Sequence, residues 1–241
     1  MADEAREPGT LAIIPARGGS KRVPRKNIRP FLGVPMLART IALLSKAQLF
    51  ERVVVSTDDD EIAEVARAAG AEVPFRRPAQ LCNDLAGTLP VIAHAIRELQ
   101  ARGLEMQYVA CVYPAAVLAR PSDIRAAWEL LRSSDADYVF TVSSFPFPIQ
   151  RALRRTVDGG CEMIWPEHRE TRSQDLEPAF HDAGQFYFGR RDAWLQARPL
   201  FGDRSRVLEL PRYRVQDIDT PEDWERAEMI FRLLEQDERG S

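Results

Sequence analysis

The sequence predicts an α/β fold built on a mainly parallel sheet, and three observations carry that reading. Short apolar or β-branched runs alternate with segments of ten or more residues whose apolar side chains recur at helical spacing. The opening run, "LAIIPA" (11–16), is apolar throughout, as suits a strand buried on both faces. It leads at once into a glycine pair ringed with basic side chains, at the carboxyl end of a strand, where open α/β sheets bind their ligands.

Each element has its own signal. Residues 1–9 are polar and acidic and read as a disordered leader, leaving 10–241 as one domain. After the first strand, "PMLARTIALLSKAQ" sets Met36, Leu37, Ile41 and Leu44 at helical spacing. "RVVVSTD" (52–58) is a second strand, and "DEIAEVARAAG" is a helix with Gly70 as its stop signal. "AEVPF" (71–75) reads as a third strand. "GTLPVIAHAIRELQARG" puts Leu89, Ile92, Ile96 and Leu99 on one stripe of a helix, with His94 opposite them and therefore exposed. "YVACVYP" is the fourth strand, "PSDIRAAWELLRSS" a helix with Pro121 near its start, and "DYVFTVSSF" the fifth strand. From Phe145 the pattern breaks: prolines and a Gly-Gly turn replace any helix period, so 145–183 reads as a hairpin-like excursion and a candidate subunit contact. "GQFYFG" returns to the sheet, "RDAWLQ" is helical, and after "RVLELP" the chain closes on a helix with Trp224, Ala227, Phe231 and Leu234 along one side. There are no internal repeats.

Composition narrows the function. The 241 residues, 45% of them hydrophobic, are enough for one large domain. Basic residues number 33 against 36 acidic, a net charge of −3 that gives no support to nucleic-acid binding. Cys82, Cys111 and Cys161 are far apart and lack C-x-x-C spacing, so neither a disulfide framework nor a zinc site is expected, and a reducing compartment is the default. No apolar run is long enough to cross a bilayer and no secretory h-region opens the chain, so a cytoplasmic protein is expected.

Against that acidic balance, "IIPARGGSKRVPRKN" places Arg17, Lys21, Arg22, Arg25 and Lys26 within ten residues. Gly18 and Gly19 permit close approach and positive φ, and successive N–H groups in such a turn make a nest for phosphate oxygens. The spacing is neither that of a Walker A loop nor G-x-G-x-x-G. A solvated basic turn is the alternative; the position after a buried strand favours phosphate. Near the other end, "RVQDIDTPEDW" carries Asp217 and Asp219 one residue apart. In an extended segment both carboxylates share a face, which suits Mg²⁺ bound together with substrate phosphates. Alternatively Asp219 caps the last helix, with Pro221 just inside it. A phosphate cradle and a paired-carboxylate site in one sheet protein point together to phosphoryl or nucleotidyl transfer.

The stretches "IIPARGGSKRVPRKNIRPFLGVPML", "VVVSTDDDEIAEVARAAGAEVPFRRPAQL" and "QDIDTPEDW" resemble the CMP-nonulosonic acid synthetases, which include the acylneuraminate cytidylyltransferases. "RPAQLCNDLAGTLPVIAHAI", "RSQDLEPAFHDAGQFYFG" and "LPRYRVQDIDTPEDWERAE" are most similar to the pseudaminic acid branch. The resemblance runs from Leu11 to Leu234. It implies a Rossmann-like three-layer nucleotidyltransferase fold with a small dimerisation excursion, a homodimer, and the reaction of CTP with a nonulosonic acid to give a CMP-sugar and diphosphate. By the same resemblance Arg17, Lys21, Asp217 and Asp219 are catalytic, with Asp217 and Asp219 holding Mg²⁺. Ala16, Gly18, Gly19, Ser20, Lys26, Asn27, Arg77, Asp84 and Thr88 fall on the nucleotide side. Tyr113, Arg151, Arg172, His181, Asp182 and Gln185 fall on the sugar side, Arg151 and Arg172 being candidates for contact with a sugar carboxylate across a subunit boundary. One stretch departs: the fourth strand usually ends in hydroxyl-bearing residues, and here it reads "YPAAVLARP". The sugar is therefore pseudaminic acid or another nonulosonic acid such as N-acetylneuraminic acid. A silent nucleotide-binding protein is the competing class, and retention of both aspartates argues against it.

Overall fold

A computed structural model describes residues 7–83 and 86–240, with the side chains of 237–240 excepted. One six-stranded sheet runs through the molecule, formed by β1 (Glu7–Pro15), β4 (Phe50–Ser56), β5 (Tyr108–Val112), β6 (Tyr138–Ser144), β9 (Phe180–Arg190) and β10 (Ser205–Glu209), in the order β10-β6-β9-β5-β1-β4. β1 is parallel to β4 and β5, with Ile13 opposite Val54 on one side and Cys111 on the other. β10 is parallel to β6, and β9 alone runs antiparallel, between β5 and β6.

Helices cover both faces, giving three layers. α1 (Met36–Ala47), α2 (Asp60–Ala68) and α4 (Pro121–Ser133) pack Leu37, Ile41, Ile62, Ile124 and Trp128 against one face. α3 (Thr88–Gln100) and α5 (Arg191–Leu195) pack Ile92, Ile96, Leu99 and Trp194 against the other. α6 (Pro221–Gly240) lies with the loop after β1, its Trp224 and Phe231 both edge-on to Phe31 at 5.5 Å. Gly70, at φ 92, ends α2 as its position in the sequence predicts.

Four expectations need correction. β1 begins at Glu7, so 7–9 belong to the sheet; residues 1–6 of the expected leader lie outside the described residues. "AEVPF" forms no strand: only Glu72 bridges to Val54, and Pro74 has no N–H with which to continue a ladder. The short hairpin of β2 (Pro30–Phe31) and β3 (Val34–Pro35) has no counterpart in the sequence reading. The return strand is eleven residues long rather than six, so β9 takes up residues 180–183 of the expected excursion. What remains of that segment is a small hairpin, β7 (Leu153–Arg155) with β8 (Cys161–Met163), joined to short helical turns and largely exposed.

Candidate active site

The two ends of the chain meet at the carboxyl edge of the sheet. Nη1 of Arg22 lies 2.6 Å from Oδ2 of Asp219. Nζ of Lys26 donates to the Ile218 carbonyl at 2.7 Å and stands 3.7 Å from Oδ1 of Asp219. The join is also apolar, because Val23, Phe31, Met36, Ile218 and Trp224 share one buried cluster. Ile218 is fully buried while Asp217 and Asp219 on either side reach solvent, the alternation that puts both carboxylates on one face. Asp219 is not the helix cap. Thr220 and Asp223 form that cap between them, the Asp223 carboxylate accepting from the Thr220 N–H at 2.9 Å and the Thr220 hydroxyl from the Asp223 N–H at 3.2 Å. The Asp219 carboxylate thereby stays turned to the basic loop.

The approach to this acidic pair is braced from below. Arg214 makes a two-pronged pair with Asp123 at 2.6 and 3.1 Å, both side chains nearly buried, and the Arg214 carbonyl accepts from Nε2 of Gln185 at 2.7 Å. Burial and the neighbouring Asp219 carboxylate push the Asp217 carboxyl above its usual range, even though the residue keeps solvent access. Among the described residues no group of three or more His, Cys, Asp and Glu side chains is placed to hold a metal ion, so any cation here would rest on this pair and on its ligands. Asp217 and Asp219 therefore offer two hard oxygen ligands, and the repulsion between them is one that a divalent cation would relieve.

The glycine pair works differently from the expectation. Neither Gly18 nor Gly19 has positive φ; in this loop that conformation falls to Arg25, at φ 55. Gly18 is needed for close approach, but to protein: a Cβ there would sit 2.5 Å from Oδ2 of Asp59. Its N–H is given to Asp58 at 3.1 Å, and the Ser20 N–H to the Gly18 carbonyl at 3.1 Å, so these amides do not form an open phosphate nest. The loop presents its cations instead. Asn27 is buried and serves the loop itself, donating to the Arg17 carbonyl at 2.9 Å, while its own carbonyl accepts from Leu37 at the start of α1.

A cavity of about 210 Å³ opens beside the loop, lined by Pro15, Arg17, Arg77, Thr88, Tyr113 and their neighbours. Arg77 is 4% exposed and its guanidinium donates to the hydroxyl and carbonyl of Ser56, with burial holding it below the ordinary arginine range. At the first turn of α3, the Thr88 hydroxyl meets the Tyr113 phenol at 2.5 Å. Burial raises the Tyr113 phenol to about 12. Tyr113 stands edge-on to Tyr187 at 5.7 Å, and Tyr187 donates to Asp182, whose other oxygen accepts from the Gly184 N–H at 3.0 Å. Gln185 is buried; with its Nε2 held by Arg214, its Oε1 has no partner among the described residues.

The remaining predicted residues divide. Ala16 is buried at the end of β1, and Lys21 is exposed in the loop. Asp84 lies outside the described residues. Arg151 and Arg172 do not line the cavity; Arg151 turns to the Thr171 carbonyl within the excursion. His181 stands on the Phe145 ring at 5.1 Å and bonds the Asp182 carbonyl rather than its carboxylate. His94 is not exposed as its helical position suggests: it packs edge-on to Phe75 at 5.6 Å, and burial lowers its pKa. The "AAVLA" departure is core, with Ala116, Val117, Leu118 and Ala119 all buried. Sequence reasoning passed over Arg214 and Asp123, whose partnership spans ninety-one positions, and over Tyr187, and gave Arg22 no preference over the other loop cations.

A family model described as cytidylyltransferase matches residues 11–237. Pseudaminic acid cytidylyltransferase of Campylobacter jejuni is 41% identical over 223 residues, spanning 92% of this chain and 96% of that protein. CMP-N,N'-diacetyllegionaminic acid synthase of Legionella pneumophila is 30% identical over 230 residues, spanning 92% of this chain and 96% of its own. Among solved structures, CMP:2-keto-3-deoxy-manno-octonic acid synthetase complexed with CTP superposes with a TM-score of 0.66 at 16% identity, covering 95% of this chain and 99% of the other, a likeness of fold.

Proposed function

The chain belongs to the cytidylyltransferase family, and on that premise we propose that it joins CMP from CTP to pseudaminic acid, releasing diphosphate. The observation that supports this most is the contact of Arg22 and Lys26 with Asp219 and Ile218, which joins a cationic hollow to an acidic pair in one cleft. The anomeric 2-hydroxyl of the sugar attacks the α-phosphorus and gives up its proton to the carboxylate of Asp217 or Asp219; the bond from the α-phosphorus to the oxygen bridging it to the β-phosphate breaks and diphosphate leaves. Arg17, Lys21 and Lys26 offset the charge that gathers on the leaving group. Arg77, Thr88 and Tyr113 border the cavity beside the loop and suit the nucleoside. Asp217 and Asp219 would hold a divalent cation, which we take to be Mg²⁺, together with phosphate oxygens and water. When bound, that ion supplies charge neutralisation at the phosphates. The partnerless Oε1 of Gln185 and the Asp182–Tyr187 pair suit the hydroxyl and amide donors of the sugar better than its carboxylate.

The excursion fits a homodimer contact. Phe147 is 78% and Leu153 59% exposed, with Phe145, Ile164, Trp165 and Phe180 nearby in sequence and also exposed. Pairing through this patch would bring Arg151 and Arg172 of one subunit towards the sugar end of the other. The three cysteines are free thiols, and no helix among the described residues is long and apolar enough to cross a membrane. Diphosphate release from CTP with Mg²⁺ and a panel of nonulosonic acids tests the reaction. Fastest release is expected with pseudaminic acid; faster release with N-acetylneuraminic acid would move the substrate, and nucleotide binding without release from any sugar would leave a silent binder. Light scattering tests the dimer.

A further inference from the structure

Arg22 and Lys26 reach forward to the acidic pair, but another cation of the loop points the other way. Arg25 gives its guanidinium to Asp59, at 2.5 and 3.2 Å, and to Glu61 at 2.7 Å. It does so from φ 55, a left-handed backbone that a residue with a Cβ adopts only when its surroundings hold it there. Asp59 meets the loop a second time at Gly18, whose missing Cβ is what lets the carboxylate lie against the turn. Asp59 itself is anchored, because it is the N-cap of α2 and accepts from the Ile62 N–H at 3.0 Å, with Ile62, Ala63 and Ala66 buried beneath it. One carboxylate on a rigid helix end thus grips the loop at its start and near its end. Lys21 and Arg22 lie between the two grips, and Lys26 follows the second directly.

We propose that Asp59 is a positioning residue for the proposed reaction, holding the loop in the arc that grips the triphosphate of CTP without touching the nucleotide. This rests on the function proposed above. The alternative, that Asp59 is only a nearby negative charge, makes the opposite prediction. A carboxylate close to a triphosphate repels it, so neutralising the carboxylate would tighten CTP binding. Loss of a positioning contact loosens it.

Asp59→Asn separates the two, since asparagine caps a helix as well as aspartate does and α2 should keep its stability. Calorimetry is expected to show CTP binding weakened about tenfold. In turnover, KM for CTP should rise while kcat changes by less than about threefold. Arg25→Ala should have a similar effect, and the double variant should be no worse than either single one. Gly18→Ala, which drives a methyl group into the Asp59 carboxylate, should weaken CTP binding by a third route. Affinity that tightens or stays constant in Asp59→Asn overturns the proposal, as do losses that multiply in the double variant. Diphosphate release by the unaltered protein is followed alongside: its absence sinks the proposed reaction, whereas its presence with undiminished CTP affinity in Asp59→Asn sinks the positioning role alone.

Discussion

Two clusters of cations around carboxylates sit at opposite ends of the sheet, and they are built to opposite ends. At the carboxyl edge, Arg22 and Lys26 face Asp217 and Asp219. At the other edge, before β6, Asp137 is held by Arg198 at 2.7 Å and Arg204 at 2.8 Å. Beside it Arg190 donates to the carbonyls of Ala136, Leu131 and Ser134, closing the end of α4. In the second cluster one carboxylate meets more cations than it needs, and the Arg204 hydrogen bond holds its pKa below the usual range. In the first, two carboxylates are crowded together, and burial with a like charge pushes Asp217 up. A cluster that has minimised its own free energy holds a fold together. One in which burial and a like charge still raise a carboxyl, despite two cations at hand, has the character of a ligand site.

The sharpest way to break that comparison is to neutralise one acid at each end. Asp219→Asn should cut kcat by about 10²–10³-fold, in the range seen when one charge-stabilising group is lost, while the thermal midpoint changes little. Asp137→Ala should do the reverse. It should cost about 2–3 kcal/mol of stability, since it strands two charged donors, and leave kcat and KM unchanged. Arg198 and Arg204 are 38% and 54% exposed and can turn to water, which keeps this below the loss expected for a fully buried pair. Urea unfolding and diphosphate release on the same samples read both quantities. A stable, active Asp137→Ala or a fully active Asp219→Asn would each dissolve the distinction.

The first cluster was far more legible in the sequence than the second. Its residues lie in two dense local motifs, and each motif carries its chemistry in residue types alone. What stayed hidden is what supports them: Asp123 finds Arg214 ninety-one positions away, and Asp59 finds Arg25 thirty-four away, and no spacing rule connects such pairs. The fold follows the same line. Helices and central strands were legible because periodicity is local. "AEVPF" forms no strand because a five-residue run with one β-branched residue and a proline in it is an edge at best, and β9 is longer than its sequence suggests because Gly184, which looks like a boundary, is a bend at φ 61 inside the strand. The use of Gly18 was half legible. Close approach was foreseen, but only coordinates show that the approaching group is Asp59 rather than a phosphate.

The smallest predicted effect concerns pH. The folded-state pKa of Asp137 lies below its ordinary 3.8, held there first by the Arg204 hydrogen bond and then by that of Arg198. A depressed carboxyl pKa contributes stability that is fully present above the unfolded value and is lost as pH falls through the folded one. Between about pH 5 and pH 3 the unaltered protein should therefore lose stability more steeply than Asp137→Asn, which has no proton to take up there, and the two curves should converge as acid protonates the aspartate. Urea midpoints at half-unit steps of pH measure this. Asp217 has its shift in the other direction and works against any such slope, so the difference between the two curves, rather than either curve alone, is what isolates Asp137. Parallel curves would mean that the far cluster keeps the aspartate near its unfolded pKa, and that the two ends of the sheet are more alike than their geometry implies.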